Sequence, residues 1–395
     1  MVKRQKMQLP LQSISLVAGF MVWVLISSLM PHIKQDIALT ESQISLVTAI
    51  PVILGSLLRV PLGYYTNKFG ARMTFMISFL LLLFPIFWIS TADSLSDLII
   101  GGFFLGISGA VFSIGVTSLP KYYPKEKHGF VNGIYGAGNI GTAITTFSAP
   151  VIAKAIGWSN TVRMFLILVA AFALLNFLFG DPKEKRITVS VKDQMKAVYR
   201  NQKLWFLSLF YFITFGSFVA FTVYLPNFLV NNFGLDPVDS GIRTAGFIAV
   251  ATFLRPVGGW LADKFNPLKL LMYVFAGCTL SGVLLAFSPD LTLYGFGVLT
   301  VAVCAGIGNG VVFKLVPFYF PTNQAGIVNG IVSAMGGLGG FFPPLILSSV
   351  FQATGQYAIG FMALSEAALA SFVIVAWMYF QDMRNSASKT NTNNI

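Results

Sequence analysis

Apolar residues gather into long runs along the whole chain, and short polar connections separate the runs. Twelve such runs stand out, at roughly 11–31, 42–65, 73–92, 97–120, 129–152, 160–180, 203–230, 240–262, 268–287, 291–317, 327–350 and 356–381. An α-helix needs about 20 apolar residues to cross a bilayer, so each run predicts one membrane-spanning helix. The short alternating segments of a membrane β-barrel are a different pattern. The first run, LQSISLVAGFMVWVLISSLM, has the flanks and the many successors of a retained span, not of a cleaved leader. One long polar stretch, GDPKEKRITVSVKDQMKAVYRNQK, divides the runs six and six. The expected organisation is a six-helix bundle over 1–180, a linker over 181–202, a second six-helix bundle over 203–383 and a disordered polar tail over 384–395.

The two halves repeat. LRVPLGYYTNKF at 58 aligns with LRPVGGWLADKF at 254, which matches Arg59 to Arg255 and Gly63 to Gly259. YPKEKHGFVNGI at 123 aligns with FPTNQAGIVNGI at 320, and beyond it GNIG at 138 faces GGLG at 336. A parallel duplication of a six-span unit places equivalent helices around an axis along the membrane normal, with the ligand between them near the midplane. Arg59 and Arg255 are therefore expected to face each other across a central cavity.

Composition agrees with the spans: 55% of residues are hydrophobic and only 10% charged, against about 25% charged in soluble domains. The net charge of +12 would suggest nucleic acid only if it were clustered for it. Nineteen of the 26 lysines and arginines fall on the side of the N-terminus, four on the other side, and Arg59, Arg255 and Lys314 lie within spans. Positive residues favour the cytoplasmic side, so both termini are expected in the cytoplasm of a multi-pass cell-membrane protein. Cys278 and Cys304 read as small buried hydrophobes in different helices. His32 and His128 fall in predicted loops, and no Cys/His cluster has metal spacing. No cofactor is expected, and no nucleophile–base pair suggests an enzyme.

A fixed positive charge inside a span is costly, by about 3 kcal/mol even on the mildest scale. Acids that could pair the arginines are scarce. Asp36, Glu41, Asp93, Asp97, Asp236, Asp239 and Asp290 fall in or near outer loops, and Asp263 at the inner end of span 8. Glu366 alone lies well inside a span, and reads as a structural residue hydrogen-bonded within the second half. The arginines can then serve as structural clamps on backbone carbonyls, or as a forked receptor for a small planar or tetrahedral oxyanion from solution. YGAGNIGTA (135–143) and MGGLGGFFPP (335–344) lie in equivalent spans 5 and 11. Such glycine runs let helices or a ligand approach closely, and Asn139 in the first can donate to an oxyanion. Tyr211, Phe215 and Phe218 share one face of span 7, as packing or as part of a site. Lys314, near the inner edge of span 10, can snorkel outward or act on an anion or proton.

On these residues the chain resembles the major facilitator superfamily, in its nitrate/nitrite porter branch. The loop pattern of the superfamily reads GYYTNKFGAR (63–72) and GGWLADKFNPLK (258–269), with Asn67 where the second half has the gating-loop Asp263. The branch markers are the arginine in each second span and the two glycine runs. The resemblance implies a major facilitator fold of two pseudo-symmetric six-helix bundles and alternating access. It implies that Arg59 and Arg255 clamp nitrate, that Asn139 and the Tyr211 hydroxyl hydrogen-bond it, and that Phe215 and Phe112 sandwich it. It further implies that Gly136, Gly138, Gly141, Gly336, Gly337, Gly339 and Gly340 let helices slide. Expected partners are nitrate, nitrite and the lipid bilayer, with no nucleic acid, and the protein is expected to work as a monomer. Nitrate/nitrite exchange and nitrate/proton symport, the latter using Lys314, remain alternatives. So do a porter of another small or organic anion and a non-transporting anion sensor.

Overall fold

The structure, a computed structural model, describes residues 2–124, 127–186, 191–287 and 290–392. Among them, ten helices are long and apolar enough to cross a membrane, and an eleventh arises when the bent pair Glu41–Leu57 and Arg59–Phe69 is taken as one span. The remaining apolar run is built from His128–Gly136, a tight turn at Ala137–Asn139, and Ile140–Ile156. It completes twelve. His32, expected in a loop, lies instead in the helix Leu25–Asp36. That helix carries span 1 beyond its apolar stretch because Lys34 and Asp36 are tolerated at its wet end.

The spans are not all single rods. Span 1 breaks between Val2–Trp23 and Leu25–Asp36, and span 2 bends by 41° between Leu57 and Arg59. Pro61 follows that bend; its missing N–H leaves a carbonyl one turn back unbonded, a common cause of kinks. Span 4 is divided into Leu95–Leu105, Ile107–Ala110 and Phe112–Ser118. Span 11 is divided into Thr322–Leu338 and Phe342–Thr354. Both glycine runs thus coincide with helix breaks. Spans 7, 8, 9 and 10 run unbroken as Gln202–Phe233, Pro237–Lys264, Pro267–Ala286 and Leu291–Tyr319.

Span 3 (Ala71–Ser90) packs against span 6 (Trp158–Phe179), and span 9 packs against span 12 (Ala358–Thr392) in the same way. The halves meet through spans 1, 2 and 5 on one side and 7, 8 and 11 on the other. The face that carries the linker is here called inner. Contacts between halves occur at both levels: Arg59–Phe69 meets Thr322–Leu338 on the inner side, and Ile140–Ile156 meets span 8 on the outer side. Outer polar clasps join Lys34 to Asn231 at 2.5 Å, Asn231 to Glu41 at 2.7 Å, and Gln352 to Ser42. The centre is therefore closed toward both faces.

Two expectations about the polar segments change. The last helix continues to Thr392, so residues 384–392 are helical; only 393–395 fall outside the described residues. Met383, Arg384, Ala387 and Lys389 are good helix formers and extend a helix already nucleated. The linker carries a helix, Val191–Val198, and is anchored before it. Glu184 accepts from the Ala71 backbone N–H at 2.7 Å, capping span 3, and pairs with Lys121 at 2.8 Å.

Candidate functional site

The arginines are held by backbone packing. A Cβ at Gly106 would lie 2.8 Å from the Gly55 backbone nitrogen, so spans 2 and 4 touch main chain to main chain. Spans 8 and 10 do the same: a Cβ at Gly306 would lie 2.5 Å from the Ala251 carbonyl. Close glycine contacts of this kind fix helix register without long side chains. They carry Arg59 and Arg255 into the centre, where they are 0% and 3% exposed.

Arg59 donates through Nη1 to the Ser333 carbonyl of span 11 at 2.5 Å, and through Nη2 to the Gly109 carbonyl at 3.5 Å. The backbone clamp weighed from sequence is thus part of its environment. Its Nε is buried with no partner. Arg255 donates through Nη2 to the Tyr211 hydroxyl at 3.1 Å, while its Nη1 is buried and unpartnered. Among the described residues neither arginine has a carboxylate within ion-pair distance.

Two phenylalanines lie between the arginines. The Arg59 guanidinium carbon is 5.2 Å from the Phe112 ring centre and 5.1 Å from that of Phe215. For Arg255 the distances are 5.3 and 5.9 Å. The two rings are 6.5 Å apart and tilted by 26°. Tyr211 stacks on Phe215 at 5.0 Å and 4°. Cations over ring faces are favourable, so the rings partly offset the buried charge. Asn139, 1% exposed, stands one turn beyond Gly136 in span 5, with Oδ1 unpartnered.

The glycines divide into two groups. Gly138 and Gly141 lie against Leu16 and Val17 of span 1, and Gly336, Gly339 and Gly340 against Tyr211, Phe212 and Val219 of span 7. Gly136 instead faces Arg255, and Gly337 faces Ser56 of span 2, with Arg59 just beyond. A Cβ at Gly136 would lie 2.6 Å from Arg255 Nε, and one at Gly337 would lie 3.5 Å from Arg59 Cζ.

Lys314 and Asp263, read separately from sequence, are joined in one ion pair, each side chain over one-third exposed. Asn67 lacks a carboxylate's role, and its Oδ1 is unpartnered. The first half has a different pair, Lys121 with Glu184 from the linker, 8% and 2% exposed. The expectation for Glu366 is corrected: it is exposed on the outer surface of span 12. Its neighbour Ser365 takes the inward position and donates to the Thr279 carbonyl at 2.9 Å, because one residue turns the helix by about 100°.

Several central residues went unread. Tyr135, the first residue of the first glycine run, is fully buried and donates to the Val111 carbonyl at 3.0 Å. Phe313 of span 10 packs 4.8 Å from Tyr211, and Trp23 lies 6.0 Å from Arg59. Asn309, 2% exposed with Oδ1 unpartnered, lies one turn from Phe313. Its setting, GIGNG, is a third glycine-dense run with an amide and was a legible signal. A separate cleft of about 330 Å³ opens between spans 7, 11 and 12. It is lined by apolar and neutral side chains such as Phe212, Phe342 and Leu364, and the arginines are not part of it.

The sequence matches the Major Facilitator Superfamily model over residues 13–344. The chain belongs to the Major Facilitator Superfamily. Within it, the relatives place the chain in the nitrate/nitrite porter family. The "Nitrite extrusion protein" of Bacillus subtilis (strain 168) is 75% identical over 395 residues, all of both chains. The "Probable nitrate transporter NarT" of Staphylococcus aureus (strain JH9) is 58% identical over 358 residues, 91% of this chain and 92% of the relative. Among solved major facilitator structures, the human organic anion transporter MFSD10 (TETRAN) superposes with a TM-score of 0.73 at 15% identity, covering 94% of this chain and 99% of that one. A bacterial homolog of the human lysosomal transporter Spinster, inward-facing and occupied, gives 0.67 at 18% identity, covering 95% and 96%. These two show the shared fold.

Proposed function

We propose that the protein is a nitrate/nitrite porter of the cell membrane, and that the oxyanion binds between Arg59 and Arg255. The observation that carries this reading is the pair of buried guanidinium groups with unpartnered donors, Arg59 Nε and Arg255 Nη1, with no carboxylate paired to either among the described residues. Two forked cations match a small planar anion in charge and shape. Phe112 and Phe215 are 6.5 Å apart, close to twice the roughly 3.5 Å contact distance of stacked carbon atoms, which suits a flat ion between them. Asn139 and Tyr211 supply neutral polar groups at its edge. The names of the relatives, a nitrite extrusion protein and a nitrate transporter, support these two ions as substrates.

The mechanism is alternating access. With the site empty, two like charges oppose closure; an anion between them offsets that repulsion and favours a closed centre. That difference is the affinity gap a ligand needs to shift an equilibrium. The breaks at Ala137–Asn139 and Gly339–Phe341 are the points about which spans 5 and 11 bend. Both termini face the cytoplasm, in line with the distribution of lysine and arginine, and one copy is the functional unit.

Coupling by exchange is favoured over proton symport. Nitrate entry against a negative interior costs about 2.3 kcal/mol per 100 mV, and outward nitrite balances that charge. Lys314 is bound to Asp263 and partly exposed at the inner edge, and Glu366 faces outward, so neither is positioned to carry a proton to the arginines. The test is nitrate uptake by proteoliposomes, with nitrite or no anion inside and a proton gradient imposed or collapsed. Uptake that requires internal nitrite and ignores the proton gradient is the expected result. Uptake into nitrite-free vesicles driven by protons would overturn exchange, and no nitrate flux in any condition would overturn the porter reading.

A further inference from the structure

At the outer rim the first half presents a cation and an anion, and the second half presents amides. Lys34 lies in the last turn of span 1, and Glu41 opens span 2. Asn227 and Asn231 stand one turn apart near the outer end of span 7, and residues four apart share a helix face. Lys34 Nζ donates to Asn231 Oδ1 at 2.5 Å and to Asn227 Oδ1 at 3.3 Å. Nδ2 of the same Asn231 donates to Glu41 Oε1 at 2.7 Å. One carboxamide thus lies between two opposite charges, with its acceptor on the cation and its donor on the anion. The two charges belong to the same half and are not within ion-pair distance of each other. The other outer arginines bond within their own helices, Arg243 to Asp239 at 3.1 Å and Arg163 to Asn160 at 3.3 Å. Lys34 reaches across the seam between the halves.

Beside this bridge is a cavity of about 20 Å³, room for one water molecule. Its polar lining comes from both halves: Glu41, Ser45 and Thr48 of span 2, Asn227 and Asn231 of span 7, and Ser348 of span 11. It lies on the outer side of the arginine site along the same helices. Ser45 precedes Arg59 in span 2, and Ser348 follows Ser333 in span 11. A small polar space between the halves, in line with the arginines and roofed by the bridge, is where a route from the outer face would open.

We propose that Asn231 is the latch of the outer gate. Held between Lys34 and Glu41, its amide keeps the halves together on the outer side; when they part, it withdraws and leaves the two charges to pair with each other. The inference rests on the porter reading above. Hydrogen bonds to charged groups are stronger than neutral ones, so the closed gate is held. The Lys34–Glu41 pair that replaces them limits the cost of opening, because neither charge loses its only partner. An exposed ion pair is weak in water, so an arriving oxyanion competes with Glu41 for Lys34 at the mouth of the route.

The experiment places a cysteine under the latch. Ser45→Cys, at a position 8% exposed, is made in a chain that also carries Cys278→Ala and Cys304→Ala. The purified full chain is held in lipid nanodiscs, and the rate of labelling by a water-soluble maleimide is measured. Adding Asn231→Ala is expected to speed labelling about tenfold, the factor carried by one hydrogen bond to a charged group. Lys34→Ala and Glu41→Ala each remove one end of the bridge and are expected to speed it by about threefold. Asn231→Gln, which keeps the amide on a longer stem, is expected to recover part of the protection. The control is Ser90→Cys in the same background, at a position 2% exposed near the outer end of span 3; its labelling should not change with Asn231→Ala. An unchanged rate at Ser45→Cys in the Asn231→Ala chain would overturn the proposal. So would an equal rise at Ser90→Cys, since the substitution would then loosen the fold and not the gate. Absence of nitrate flux in wild type would overturn the porter reading, and labelling would still decide whether Asn231 holds the halves together.

Discussion

Arg255 of the second half lies directly over Gly136 of the first, so close that a Cβ at residue 136 would come within 2.6 Å of Nε and 2.9 Å of Cζ. The glycine is part of how the arginine is aimed. A methyl group there must displace the guanidinium, and overpacking of this kind costs about 1–3 kcal/mol. Gly136→Ala should therefore weaken nitrate affinity by about 10- to 100-fold. Gly133→Ala, three residues earlier, would place its Cβ 3.7 Å from Pro256 in ordinary contact and should bind nitrate almost normally. Calorimetry on the two variants decides it; equal affinities would separate Gly136 from the site.

Arginine at 59 and 255 is required for its fork as well as its charge. Arg59 uses Nη1 and Nη2 on the Ser333 and Gly109 carbonyls and keeps Nε free. Lysine has a single ammonium on a flexible stem and cannot hold both carbonyls and an anion in that plane. Arg59→Lys and Arg255→Lys should each lower nitrate affinity by about 2–5 kcal/mol, the range for disrupting a buried, hydrogen-bonded charge pair. Uptake assays on folded variants check this, and near-normal uptake in either would remove that arginine from the substrate site.

The twelve spans were legible because a bilayer imposes length and apolarity on every crossing helix, whatever the helix packs against. The repeat was legible because equivalent helices keep the same turn residues, as in LRVPLGYYTNKF and LRPVGGWLADKF. The break in span 1 was not, since Val24 has ordinary helical neighbours, whereas the bend at Leu58 had a signal in Pro61 and those in spans 5 and 11 in their glycine runs. Facing within a helix was also hidden. Glu366 and Ser365 are adjacent, and a turn of about 100° decides which one enters the bundle. Lys314 and Asp263 stand 51 positions apart, a separation across which no periodicity speaks. Glu184 was concealed for a different reason: it lies in a polar linker, and only the fold brings it under spans 3 and 4.

The outward position of Glu366 gives a direct expectation. It has no role in a path that runs between the halves, so Glu366→Gln should leave both nitrate uptake and its response to a proton gradient unchanged. Proteoliposome flux at two external pH values measures this. Loss of uptake, or loss of a proton-driven component, would show that span 12 takes part in coupling.

The two inner ion pairs should differ in what they stabilise. Lys314–Asp263 has side chains 38% and 39% exposed, and exposed pairs contribute about 1 kcal/mol or less. Lys121–Glu184 has side chains 8% and 2% exposed, and Glu184 also caps span 3 through the Ala71 N–H. Removing one partner of a buried pair leaves an uncompensated charge and costs about 3–5 kcal/mol. Glu184→Ala should therefore lower the melting temperature in detergent clearly, while Asp263→Ala should hardly move it. The Asp263 pair ties the inner ends of spans 8 and 10 within the second half, and Lys121–Glu184 ties span 4 to the linker within the first. Each supports one bundle's inner rim, so the Lys121→Ala/Glu184→Ala double variant should recover part of the stability lost by either single change, because no unpaired charge remains. Thermal unfolding of the three variants measures the coupling. Additive losses would show that the two side chains act independently, and that the linker is not held by this pair.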